Sequence, residues 1–293
     1  MKKTLLFIMM LLPIAVSAAE IDGINFSLDS KTKTAKVIRK TYRGEVVIPK
    51  SIVYKNVTYT VTAIDNYAFQ SCKGLTSVSI PNSGTSIRSC AFDGCSGLLS
   101  LTIPNSVTEI LGGAFANCSS LSAIIIPNSV VSIGGDAFKN CTSLTSITFG
   151  KGLTTIGKYA FGGCSSLQSV SIPDNVKTIK STAFDGCSSL TSVTIGNGVT
   201  EILANTFHGC TNLTSVIIGN NVTSISGFGL CKGLRTLTIP NGVTTIISYT
   251  FQECRGLSSI FIPSSVTSIG SYAFNYCESL TSVIVDIQEP ISI

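Results

Sequence analysis

Cys95-Ser-Gly-Leu98-Leu-Ser-Leu101-Thr-Ile103-Pro104, followed by Val107, Ile110, Ala114 and Phe115, decides how the rest of the chain is read. Twenty-three residues after Cys95 stands Cys118, and behind it Leu121, Ile124, Ile126, Pro127, Val130, Ile133, Ala137 and Phe138 repeat the order. Cys72, Cys95, Cys118, Cys141, Cys164, Cys187, Cys210, Cys231, Cys254 and Cys277 mark ten copies, and every step is 23 residues except the 21 between Cys210 and Cys231. A fixed period of this length means stacked units, each burying its apolar residues against its neighbours rather than around one large core.

Within a copy, Leu167, Val170 and Ile172 alternate at their end and are rich in β-branched residues, which predicts a short strand. Pro81, Pro104, Pro127, Pro173, Pro240 and Pro263 follow that strand; proline cannot donate to a ladder and presets a turn, so the strand ends there. A second extended piece carries residues such as Val199 and Ile202, three apart. Ala-Phe-x-x-Cys then places its aromatic and its thiol on one side of a single helical or 3₁₀ turn. The predicted fold is a β-rich solenoid of ten 23-residue coils, with short parallel strands about 4.8 Å apart and an array about 45 Å long. Ser226-Gly227-Phe228-Gly229-Leu230 shortens one turn by two residues, so a local flattening or kink is expected there.

Charged residues make up only 12% of the chain, and Ser, Thr, Asn and Gly carry the polarity. The ends differ from the array. Met1-Lys2-Lys3, an apolar run from Leu5 to Val16 and then Ser17-Ala18-Ala19 read as a secretory signal peptide over residues 1–19, too short to span a bilayer. Removing Lys2 and Lys3 from the net charge of +5 leaves +3. Residues 20–60 read as an N-terminal cap with the first strand, opening on a hairpin from Ile21 to Ile38. This stretch holds eight basic residues against four acidic ones, as either a solvated end-cap or a ligand-binding patch. The repeats, residues 61–286, are near neutral and carry no basic stripe, which argues against nucleic acid as a partner. Residues 287–293 form a tail.

Eleven cysteines in an exported chain would ordinarily mean disulfides. Ten of them share one inward column, so a structural ladder of reduced thiols is expected, and a 23-residue ladder supplies no tetrahedral metal set. Cys90 stands outside the ladder, in the position of Tyr67, Tyr159, Tyr249 and Tyr272, and is expected near the surface as a free thiol. His208 is the single histidine and reads as a surface residue. Without a second histidine, a recurring carboxylate pair or a phosphate-cradling motif, no catalytic residue, metal or cofactor is expected.

The solenoid's outer face then carries the functional reading. One outward column runs Ser77, Ser100, Ala123, Ser146, Ser169, Ser192, Ser215, Thr236, Ser259, Ser282; the next runs Ser79, Thr102, Ile125, Thr148, Ser171, Thr194, Ile217, Thr238, Phe261, Ile284. Hydroxyl columns suit a soluble sheet, but the apolar interruptions have no packing purpose in the repeat. Arg235, Phe261, Ile284, Ile217 and Ile125 are the candidate ligand-binding residues, because aromatic, aliphatic and arginine side chains are favoured at interface hot spots.

Leu-x-x-Val-x-Ile-Pro-x-x-Val-x-x-Ile-x-x-x-Ala-Phe-x-x-Cys, followed closely from Leu121 to Cys141, resembles the BspA-like leucine-rich repeat of bacterial surface proteins, from Val61 to about Val285. Asp22-Gly23, Leu28 and Val47-Ile48-Pro49 also look like that family's leading module. The resemblance implies a horseshoe-like leucine-rich-repeat solenoid, a non-enzymatic protein that is secreted or held at the cell surface, and recognition of a protein or glycan, some members being adhesins for host matrix. A passive spacer in the cell envelope is the alternative. At the far end, Leu280, Val283 and Val285 complete a strand, and with Ile287, Ile291 and Ile293 they lead to an expectation of self-association through that edge, or of a chain cut short of its cap.

Overall fold

The computed structural model describes residues 17–84 and 86–286. Ser17–Ile21, Ile24–Asp29 and Thr34–Val37 form an antiparallel unit, and Thr34–Val37 then pairs in parallel with Val57–Ile64, the first strand of a continuous ladder. Ser17–Ala19, read as the end of the leader, pair with Phe26–Leu28; residues 1–16 lie outside the described residues. The insertion before the first regular repeat is a second hairpin, Ser51–Tyr54 against Val57–Ile64, turning at Lys55 and Asn56 with φ of 50° and 62°. Gly44–Val47 pairs in parallel with Leu75–Ser79, so the stack of main strands begins inside the cap.

From there each coil adds one rung to each of two parallel ladders. Two-residue strands such as Glu109–Ile110, Ser132–Ile133 and Thr155–Ile156 continue the ladder begun by the cap. Main strands such as Ser169–Ile172 and Ser192–Ile195 build the other, in register residue for residue at the 23-residue spacing. Prolines close the main strands as expected: the Pro104 carbonyl accepts from Val107 N at 3.0 Å and that of Pro127 from Val130 N at 3.1 Å. The main-strand ladder is not continuous. It divides into Gly44–Val47 to Ser100–Thr102, Ala123–Ile125 with Ser146–Thr148, Ser169–Ile172 to Ser215–Ile217, and Thr236–Thr238 to Ser282–Val285.

The third side of each coil differs from the expected helical turn. Ala68 N, Gln70 N and Cys72 N bond to the carbonyls three residues back, as in a 3₁₀ turn, but the amides between them cross to the next coil: Tyr67 N to Ser89 O, Phe69 N to Ala91 O and Ser71 N to Asp93 O. That alternation requires left-handed backbone at Tyr67 (φ 61°) and Ser71 (φ 59°) and at their equivalents, so no helix forms among the described residues. The sequence carries a sign of it. The residue before each of Cys95, Cys118, Cys141, Cys164, Cys187 and Cys210 is Gly or Asn, the types that enter the left-handed region most readily.

Inside, Phe69, Phe92, Phe115, Phe138, Phe161, Phe184, Phe207, Phe228, Phe251 and Phe274 stack face to face at centroid steps of 4.8 to 5.9 Å. Most steps exceed the roughly 4.8 Å of paired strands, so the coils splay toward the turn side and the main strands lie on the inner side of the curve. The steps are widest around the shortened coil, at 5.6 Å for Phe207–Phe228 and 5.9 Å for Phe228–Phe251. Stacking is kept there because Phe-x-x-Cys survives the deletion. Tyr42 of the cap begins the column at 4.5 Å from Phe69.

Candidate functional site

The cysteine column is placed by the phenylalanine column beside it. Each thiol donates to the Phe carbonyl of the preceding coil: Cys95 Sγ to Phe69 O at 3.0 Å, Cys118 Sγ to Phe92 O at 3.2 Å, Cys164 Sγ to Phe138 O at 3.2 Å, through to Cys277 Sγ to Phe251 O at 3.1 Å. The same carbonyl already accepts an amide in its own turn, as in Cys72 N to Phe69 O, so the thiol takes its second lone pair. Cys72 donates instead to Lys40 O of the cap. All eleven cysteines are free thiols, and burial pushes the ladder upward, Cys95, Cys141 and Cys254 to about 12. These are poor nucleophiles and poor metal ligands, since both roles need the thiolate.

On the turn side, Cys90 is half-buried in a depression with Gly112, Gly113 and Gly135, and its thiol is also pushed up, first by burial and then by Asp93 and Asp136. His208, read as a plain surface residue, has a partner that the sequence reading overlooked: Asp185, one period earlier, places Oδ1 2.9 Å from His208 Nδ1. Among the described residues no group of three His, Cys, Asp or Glu side chains is close enough to hold a metal ion.

The main-strand face holds the candidate binding residues. Phe261 and Ile284 are register partners on adjacent strands, and Thr238 is paired to Phe261 on its other side. Both large groups point outward, with 41% and 57% of their surface exposed. Arg235, also exposed, immediately precedes the Thr236–Thr238 strand, and its carbonyl accepts both the amide and the hydroxyl of Ser258. Ile217, 61% exposed, ends the strand that precedes this sheet, and no backbone hydrogen bond joins Ser215–Ile217 to Thr236–Thr238. Ile125, 68% exposed, stands four coils earlier, so the five candidates do not converge on one spot. Three of them form a C-terminal patch with Ile217 beside it, and Ile125 belongs to a separate place. Two exposed apolar residues escaped the sequence reading. Val47 is paired with Ser79 and so heads the column that contains Ile125 and Phe261; Leu99 lies just before the Ser100–Thr102 strand. Val47 was legible in Glu45-Val46-Val47-Ile48-Pro49, which has the repeat's own strand pattern.

Among solved structures, the chain is similar to a leucine rich cell surface protein of Faecalibacterium prausnitzii A2-165, at 25% identity and TM-score 0.52, over 92% of this chain and 95% of that one. It is similar to a leucine rich repeat protein of T. pallidum at 30% identity and TM-score 0.53, over 72% of this chain and 87% of that one. The pneumococcal vaccine antigen PcpA shares the fold at 18% identity and TM-score 0.54, over 94% and 88%. No curated protein matches. Six copies of the BspA type leucine rich repeat match residues 50–167, 131–254 and 226–291, and with the coils, columns and turns just described they make this chain a member of the BspA type leucine rich repeat family.

Proposed function

We propose that this chain is an exported recognition protein, non-enzymatic, that holds a protein or glycan partner on its main-strand face, with host extracellular matrix as one source of that partner. The observation that supports it is the Phe261–Ile284 pair, two large apolar groups in register and exposed on a face whose other coils place Ser or Thr there. Arg235 adds a fork of donors one strand away. The rest of the face, being hydroxyl columns on a rigid sheet, contributes contacts that need little reordering on binding. The family membership and the cell-surface relative favour display outside the cell. A ligand is to be captured on the immobilised protein from host matrix and from the producer's own envelope, then titrated against Phe261→Thr with Ile284→Thr. Loss of at least about ten-fold in affinity with unchanged thermal stability is expected. Full affinity in the double variant would move the hot spot elsewhere, and capture of nothing from either source would favour a spacer.

A further inference from the structure

Three departures from the repeat coincide in space around Ile125. Ala123 is the one residue without a hydroxyl in its outward column, Ile125 replaces the usual Ser or Thr, and Phe149-Gly150 stands where most coils have Ile-Pro. All of them line one crevice of about 550 Å³, together with Ile103, Pro127 and Asn128. Phe149 reaches from its wall into the core, edge-on to Phe161 at 5.7 Å.

The crevice lies over an opening in the backbone. Ser100–Thr102 and Ala123–Ile125 are neighbours in the stack, yet no backbone hydrogen bond joins them. The same two coils stay paired elsewhere, through Glu109↔Ser132 and Ile110↔Ile133, and through Gly113 N to Gly135 O and Phe115 N to Ala137 O. The coils therefore part on the main-strand side alone, and the facing strand edges keep amide and carbonyl groups that nothing across the gap engages.

We infer that this crevice is a second binding site, which takes an uncharged apolar side chain from an extended peptide segment whose own amides engage the opened strand edges. No charged residue lines it, so a charged group would lose water without compensation. Isoleucine, proline, alanine and phenylalanine walls suit an aliphatic or aromatic side chain better than sugar hydroxyls. The free edges need donors and acceptors together, which a peptide backbone supplies and a hydrocarbon does not. The site is distinct from the Phe261–Ile284 patch and does not depend on it.

The test is a titration of the ¹⁵N-labelled full chain, followed by amide chemical shifts. The probes are acetyl-Ala-Leu-Ala-amide, versions with lysine or serine in place of the leucine, and cyclohexanol. The leucine peptide is expected to saturate at millimolar concentrations and to shift the amides of residues 100–103 and 123–126. Ala123→Ser with Ile125→Thr, residues taken from sister coils, should weaken it by at least about ten-fold without altering thermal unfolding. Phe261→Thr with Ile284→Thr should leave it unchanged. Equal binding of the lysine or serine peptide, no localised shift, or undiminished affinity in the Ala123/Ile125 variant would overturn the site. Cyclohexanol binding as tightly as the peptide would overturn the peptide as its occupant.

Discussion

A single thiol in the ladder does two jobs, filling a small space in the core and capping a carbonyl of the coil before it. Cys164 shows both, being fully buried and donating to Phe138 O at 3.2 Å. Cys164→Ala should cost about 1–3 kcal/mol in urea unfolding, from a lost hydrogen bond and a small cavity. Cys164→Ser keeps a donor, so it should cost less than alanine; equal costs would mean that the thiol contributes only its volume. Tyr42 is the comparable residue of the cap, since its hydroxyl donates to Ile38 O at 3.0 Å and accepts from Asn25 N at 3.2 Å. Tyr42→Phe keeps the ring on Phe69 and strands both partners, with an expected loss of about 1–3 kcal/mol and unfolding that begins at the cap in hydrogen exchange.

At the scale of one element, the shortened turn shows how a deletion is absorbed. Its chain passes Gly227 at φ 86°, where an added Cβ would meet Leu203 O and Thr206 N at 2.6 Å. Gly227→Ala therefore has both a left-handed residue and a backbone clash to accommodate, and should destabilise by more than about 2 kcal/mol in chemical unfolding. Gly229→Ala, with an ordinary φ and the edge of the His208 ring as its nearest neighbour at 3.1 Å, should cost less. A reversed order would show that the turn relaxes freely. The kink expected from the missing residues takes the form of wider phenylalanine steps and of an unbonded junction between Ser215–Ile217 and Thr236–Thr238.

Over the whole molecule, the buried thiols tie stability to alkaline pH. A thiol whose pKa is higher in the fold than in the unfolded chain stabilises the fold fully below the unfolded value, and that contribution is lost as pH rises through the folded value. For Cys95, Cys141 and Cys254 the window runs from the ordinary 9.0 to about 12, and the other ladder thiols are shifted in the same direction. Each thiol removes about 1.4 kcal/mol per pH unit inside that window. Denaturant unfolding should therefore be markedly weaker at pH 10.5 than at pH 8, and less so when several ladder cysteines are replaced by alanine. Equal stability at the two pH values would mean that the thiols ionise freely within the fold.

What the sequence determined by itself is everything that the period enforces. Cys, Phe, Leu and Ile recur at fixed positions, so their columns, the two ladders, the outward Ser and Thr faces and the exposure of Phe261 and Ile284 follow from stacking in register. Periodicity says which residues share a column, but not how the backbone passes through it. The left-handed residues at Tyr67 and Ser71, the thiols bonded to phenylalanine carbonyls and the Tyr42 end of the aromatic stack depend on dihedral angles and on contacts between coils. The separation of Ile125 from the C-terminal patch depends on where the main ladder opens, and that is the sum of small splays along the stack, which only the tertiary structure decides.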